Sequence, residues 1–283
     1  MAAACTGTIK MKRVYLTMTA VVRDQEYYVK EWLAFHWLAG YERFVVILHK
    51  CADKTEERIH ELPFQDRIHV HRIVNDEQYV QLGSYVWAIQ HYGAFTKWMA
   101  FIDSDEFFFA TRSDDIKPIL EEYEEYGGVL GNWAQFNSNN HAVRPTGLSI
   151  EAFTKRAADS HGDHKSFKTI LRPECFQKFR SPHLADTKPL TVTTDHRPVP
   201  DHWKWYGDRE HDWDVLRVNH YHTRSMEDWV QRCYRGQCND PHPFYNYVSN
   251  TFKKRDCGDV SDYCILRFAD RLKALLQMKE QYE

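Results

Sequence analysis

A chain of 283 residues with 43% apolar and 27% charged side chains has the composition of a soluble globular protein with ample core. A net charge of −3 gives no electrostatic reason to bind nucleic acid or an anionic membrane, and no apolar run reaches the roughly 20 residues that span a bilayer. The seven cysteines are scattered without a Cys-x-x-Cys, and residues 1–12 lack an apolar signal segment; reduced thiols and a cytoplasmic location are expected, with a bridge among Cys233, Cys238, Cys257 and Cys264 left open.

Residues 13–22 form a mostly apolar, β-prone run of the kind buried on both faces. Tyr28, Trp32, Phe35 and Leu38 recur at helical spacing over 26–40, and Gly40 is a plausible stop. Strands follow at 44–48, 68–73 and 98–102, with helical patterns at 53–60 and 78–95 between them. This alternation predicts an α/β protein with a mostly parallel central sheet flanked by helices. The second half reads as a helix at 116–126, a strand at 129–136, a polar loop at 137–147, a helix at 149–158 and a strand at 167–171. Residues 181–214 are rich in proline, histidine and tryptophan and have little periodicity, which marks an irregular region. A strand at 215–221 and helices at 226–234 and 262–279 close the chain, and the absence of a linker predicts one domain over 1–283.

Asp103-Ser104-Asp105-Glu106 lies between two apolar runs. On an extended strand Asp103 and Asp105 would share a face, and two close carboxylates repel unless a cation joins them. Hard oxygen donors suit Mg²⁺ or Mn²⁺. The alternative is an acidic turn closing a buried strand. Ligands of parallel sheets bind at the carboxyl ends of the strands, and Arg23-Asp24, residues 50–53 and the acidic cluster all fall at such ends.

Several blocks in fixed order carry a resemblance. They are Arg23-Asp24-x-Glu26 with Glu31-Trp32-Leu33-Ala34-Phe35-His36, then Phe101-Ile102-Asp103-Ser104-Asp105-Glu106-Phe107, then Asn132-Trp133 with Phe136. Pro145-x-Gly147-Leu148-x-Ile150-Glu151-x-Phe153, Lys165-Ser166, Pro182-His183 and Asn219-His220-Tyr221 with Arg224-Ser225 follow. Over roughly residues 13–236 the set resembles family 92 glycosyltransferases and their family 2-like relatives with a GT-A fold. Arg23-Asp24 stands where Arg-Asn is commoner, and residues 136–141 depart from a Phe-Gly-Ser-Ser-Gly-His-like stretch near the presumed sugar pocket.

The resemblance implies a nucleotide-sugar donor, usually a UDP-sugar such as UDP-galactose or UDP-xylose, a divalent metal (Mn²⁺ or Mg²⁺), a glycan or glycoprotein acceptor, and inversion at the anomeric carbon. It divides the chain into a nucleotide-sugar-binding half, 13–110, and an acceptor-side half, 111–283. Asp105 is the expected metal ligand, with Asp103 on the ribose or metal-bound water and Glu106 structural. His220 is the expected histidine ligand; His222 shares its face as a backup. Arg23, Asp24 and Asp53 are expected at the nucleobase and ribose, and Lys165 and Arg224 at the diphosphate. Glu151 is the first candidate for general base, with Asp163 and Asp186 behind it. Trp133 could be a sugar platform or a core aromatic.

Two other classes compete. The 16 histidines and many acids would suit a metal-dependent hydrolase of the phosphoesterase kind, but Gly131-Asn132-Trp133 lacks the ligand such a block needs. The 14% aromatic content would suit a non-catalytic carbohydrate-binding protein.

Overall fold

The computed structural model describes residues 11–74, 80–236 and 250–277. Cys5, Cys238, the start of the helix expected over 78–95 and the end of the one expected over 262–279 lie outside those residues.

Strand β1 (Val14–Val22) leads to helix α1 (Val29–Leu38), strand β2 (Arg43–His49), helix α2 (Thr55–His60) and strand β3 (Ile68–Ile73). Helix α3 (Val80–Tyr92) precedes β4 (Thr96–Phe101), β5 (Glu106–Ala110), α4 (Lys117–Glu121) and β6 (Gly128–Gln135). Then come α5 (Ser149–Ala152), β7 (Lys155–Arg156), β8 (Phe167–Leu171), β9 (Phe176–Ser181), β10 (Leu184–Thr187), β11 (Thr191–Val192) and β12 (Leu216–His220). Helices α6 (Met226–Arg235) and α7 (Asn250–Arg255), strand β13 (Val260–Ser261) and helix α8 (Ala269–Gln277) complete the order.

The main sheet runs β3-β2-β1-β4-β8-β6-β12-β5, with β11 also on β6. Its first half is parallel, as the alternation predicts, and β2 is buried along its whole length, which is why it reads as an unbroken apolar run. Its second half is mixed. Strand β8 runs antiparallel to both β4 and β6, and β5 runs antiparallel to β12. Local patterning identifies strands but not their direction, because direction is set by pairings between residues far apart in sequence.

Strands β4 and β5 are four places apart in the sheet but only five residue steps apart in the chain. A flat sheet would separate them by about 19 Å, beyond the roughly 18 Å reach of that connection even fully extended. The connection is instead a tight turn, with Glu106 N–H donating to Asp103 O at 3.0 Å. The sheet therefore curls, and Asp103 and Asp105 sit on a turn rather than alternating along a strand. That corrects the reason given for their convergence.

Two helices are shorter than their patterns. The one expected over 116–126 is regular only at α4, and the one expected over 149–158 stops at Ala152. Lys155 and Arg156 instead pair with Ser261 and Val260, and Arg156 is held by Asp262 at 2.8 Å. These partners lie about a hundred residues downstream, outside any local pattern. The irregular stretch holds the β9–β10 hairpin and β11. Cys51, Cys175, Cys233, Cys257 and Cys264 are free thiols. Among the described residues, no helix is long and apolar enough to cross a membrane.

His36 joins α1 to β5. Its Nδ1 donates to Trp32 O at 2.8 Å, and its Nε2 accepts from Phe108 N–H at 3.2 Å. Burial pushes the ring down to about 3, against the pull of the Trp32 carbonyl. The unfolded ring titrates near 6.5, so this group's contribution to stability is complete above that pH and is lost as pH falls toward about 3. We expect imidazole ¹⁵N spectra at pH 5 to show His36 neutral and singly protonated on Nδ1. A doubly protonated His36 at that pH would refute the assignment.

Candidate functional site

The Asp103–Glu106 turn opens onto a cavity of about 360 Å³. The end of β1 brings Arg23, Asp24 and Gln25 to it; the start of α2 brings Asp53, and α3 brings Gln81. Beyond β12, His222 and Arg224 line it, and α6 presents Asp228, Arg232 and Arg235. A capping box at Ser225 and Asp228 starts α6 at the cavity edge, and Arg232 and Arg235 share one face by their i, i+3 spacing.

The turn is held from several sides. Asp105 O accepts from Tyr221 N–H at 2.8 Å, which ties it to the end of β12. Arg224 donates to Ser104 O at 2.8 Å and to Gln25 Oε1 at 2.7 Å, with its guanidinium 3.8 Å from the centroid of the Tyr28 ring. Arg224 adopts φ 51°, a left-handed conformation costly for a side chain of this size, as does Asp24 at φ 47°. Both line the cavity, where such strain commonly concentrates.

The three acids of the cluster have different environments. Asp103 accepts from Gln81 Nε2 at 2.6 Å and from Lys168 Nζ at 2.7 Å. Glu106 is fully buried, 3.3 Å from Lys168, and its Oε2 accepts from Asp103 N–H at 2.9 Å, while Oε1 has no partner among the described residues. Burial, opposed by Lys168, holds the Glu106 carboxyl well above the usual range. Lys168 is itself fully buried, but Asp103 and Glu106 outweigh that burial and raise its pKa.

Asp105 is the acid that meets histidines. Its Oδ2 accepts from Arg232 Nη1 at 2.7 Å, and its Oδ1 lies 3.7 Å from His220 Nε2. Burial alone would raise this carboxyl, but Arg232 and His220 hold it well below the usual range. Burial lowers both His220 and His222, with Arg232 adding to the effect at His222, so both rings present neutral nitrogens. Donor atoms of Asp105, His220 and His222 lie within 4.8 Å of one another. Opposite donors on one ion with bonds of about 2.1 Å stand about 4.2 Å apart, so the three fit one divalent cation with small adjustment. The Nδ1 atoms of His220 and His222 are buried without hydrogen-bond partners among the described residues; Arg23 Nε at the cavity wall likewise lacks one, with the Asp24 carboxylate 3.9 Å away.

Asp24, Cys51 and Asp53 also cluster, but their donors are engaged. Asp24 Oδ1 accepts from Ala52 N–H, Asp53 accepts from Glu26 N–H and Thr55, and the Cys51 thiol is pushed up to about 11 by burial. They shape the loop at the strand ends rather than offering a cation site.

The fold thus gathers Arg23, Asp24, Asp53, Asp103, Asp105 and Arg224 around one cavity, with His220 behind Asp105. Glu151, Asp163 and Lys165 do not line it. Glu151 pairs with Lys273, Asp163 with Arg255 and Lys165 with Glu210, and Asp186 is held by Arg180. Trp133 is buried, its ring centroid 4.0 Å from that of His220, so it is no open platform. Sequence reading missed Arg232, Arg235, Arg144, Gln81 and Lys168. A lysine inside the apolar run 167–171 and two arginines on one helical face were the available signals.

A curled α/β sheet with a carboxylate turn at its strand ends, backed by histidines and faced by arginines, is the frame of a glycosyltransferase, the class the family comparison shows. The description of glycosyltransferase family 92 matches residues 13–258, and the chain belongs to that family. A glycosyltransferase family 92 protein of Ricinus communis is 20% identical over 221 residues, 78% of this chain and 37% of the relative. A second alignment to a protein of that description gives 21% over 231 residues and 36% of the relative, so this chain spans little more than a third of the curated relatives it matches. Among solved structures, S. aureus TarS 1–349 in complex with UDP is 15% identical, covering 57% of this chain and 48% of its own, with a TM-score of 0.38. Glucosyl-3-phosphoglycerate synthase from Mycobacterium tuberculosis, in complex with phosphoglyceric acid, is 11% identical, covering 57% and 58%, with a TM-score of 0.32.

Proposed function

We propose that this glycosyltransferase moves a sugar from a UDP-sugar, such as UDP-galactose or UDP-xylose, to a hydroxyl of a glycan or glycoprotein, with inversion and with a divalent cation held by Asp105, His220 and His222. The observation that carries the reading is the convergence of those three donors at the inner wall of an arginine-lined cavity. When bound, the cation would serve as a Lewis acid toward the diphosphate leaving group.

The chain's own residues do the rest. Arg23, Arg232 and Arg235 supply positive charge where a diphosphate would lie, and forked guanidiniums suit its oxygens. Asp103 lines the cavity with its carboxylate oriented by Gln81 and Lys168, so it is placed to accept a hydrogen bond from a ribose hydroxyl. Arg224 braces the turn so that Asp105 does not have to reorganise during the reaction. The cavity draws Arg224, Arg232 and Arg235 from the second half of the chain, so residues 13–110 would hold the nucleotide only together with 111–283.

The donor set also selects the cation. Two imidazoles and one carboxylate form a softer set than the all-oxygen shell that Mg²⁺ prefers. Half-maximal UDP binding is therefore expected at about ten-fold lower Mn²⁺ than Mg²⁺. Calorimetric titration of UDP across a series of both ions measures it. UDP binding that ignores both ions, or turnover of simple phosphate esters without an acceptor, would overturn the transferase reading.

A further inference from the structure

His183 of the Pro182-His183 block and Trp205 of the irregular region do not line the nucleotide cavity, yet a series of rings connects them to the candidate metal ligands. Rings run in unbroken contact from the candidate metal centre outward. His220 packs on Trp133 at 4.0 Å, Trp133 on His183 at 5.1 Å and His183 on Trp205 at 5.2 Å. Trp205 is 50% exposed at the end of the series, and its neighbour Tyr206 is 66% exposed. None of Trp133, His183 and Trp205 lines the nucleotide cavity; the series reaches it through His220, which lies 3.7 Å from the cavity-lining Asp105.

The patch is held in place. Nδ1 of His183 contacts Phe167 O at 3.0 Å; a carbonyl only accepts, so the proton is on Nδ1 and Nε2 keeps its lone pair. Nε2 has no hydrogen-bond partner among the described residues and is not fully buried, so its lone pair is open to a ligand donor. Burial and Lys168 keep the ring neutral. Thr169 Oγ1 donates to His183 O at 2.7 Å, and Ser181 Oγ donates to Lys204 O at 2.5 Å, fastening the histidine turn and the tryptophan segment to one another and to β8. The residue after Phe167 on β8 is Lys168, which holds Asp103.

We infer that Trp205 and His183 form a carbohydrate-binding subsite outside the nucleotide cavity, which takes a pyranose ring. The apolar face of the sugar stacks on the exposed indole, and a hydroxyl donates to His183 Nε2. A flat aromatic face beside a fixed acceptor atom is the combination a sugar ring requires, since its C–H face is apolar and its rim is lined with hydroxyls. This inference rests on the transferase reading for its purpose but not for its test.

The test is saturation-transfer NMR on the whole chain with methyl glycosides of galactose, glucose, mannose, xylose and N-acetylglucosamine, each with and without UDP and Mn²⁺. At least one glycoside is expected to bind. Trp205→Ala and His183→Gln are each expected to weaken it by about ten-fold while UDP affinity stays unchanged. The exposed Trp205 can be removed without opening the core, so the first variant reports even where the second loosens its turn. No binding by any of the five glycosides, or equal binding by wild type and both variants, would overturn the subsite. Glycoside binding that depends on Trp205 in a chain that fails to bind UDP would leave the subsite standing and remove the transferase reading.

Discussion

Asp105→Asn is expected to lower sugar transfer by roughly a thousand-fold or more while leaving the fold intact. The carboxylate is an anionic group shared by Arg232, His220 and His222. An amide keeps the shape but loses the charge, so it weakens the cation site and leaves Arg232 without its counter-ion. The backbone contribution survives, because Asp105 O still accepts from Tyr221 N–H. Arg232 keeps its contact with His222 O at 3.1 Å and borders the cavity, so its loss of a partner is moderated by water. Donor-consumption kinetics and thermal melting on the same preparation separate the two effects. Activity within a few-fold of wild type would reject Asp105 as a ligand; a collapsed melting curve would reassign it as structural.

Lys168→Met should instead unfold or strongly destabilise the protein, by about 3–5 kcal/mol. Lys168 is fully buried and is the cation facing both Asp103, at 2.7 Å, and Glu106, at 3.3 Å. Removing it leaves a buried carboxyl whose other oxygen is already unpartnered. The physical cause predicts a specific rescue. Adding Glu106→Gln removes the uncompensated acid, so the double variant should recover a substantial part of the lost stability, a coupling of at least about 1 kcal/mol. Urea denaturation of the four proteins in the cycle measures it. Additive losses would show that Lys168 acts through packing alone.

Much of the first half was readable because β1, β2 and β4 are buried along most of their length and appear as apolar runs, while the partly buried edge strand β3 shows as an alternation. The position of the acidic turn was equally readable. Its geometry was not: alternation along a strand would pair Asp103 with Asp105, whereas the turn gives Asp103 to Gln81 and Lys168 and Asp105 to Arg232 and the histidines. The general-base candidates Glu151 and Asp163 were chosen on their place in a motif, and the structure commits them to Lys273 and Arg255 away from the cavity. Hydrophobic periodicity says which face of an element is buried; it says nothing about which distant side chain meets a given carboxylate.

The amino-acid sequence by itself determined the α/β class, the family and the location of a carboxylate turn at a strand end, because these depend on local patterning and on ordered motifs. Only the tertiary structure decided the roles within the cluster. The direction of β8, the curl of the sheet and the approach of α6 are long-range pairings, and they place Lys168, His220, His222 and Arg232 around the acids. Electrostatic roles depend on distances of a few ångströms between residues up to 127 positions apart, and no local pattern encodes them.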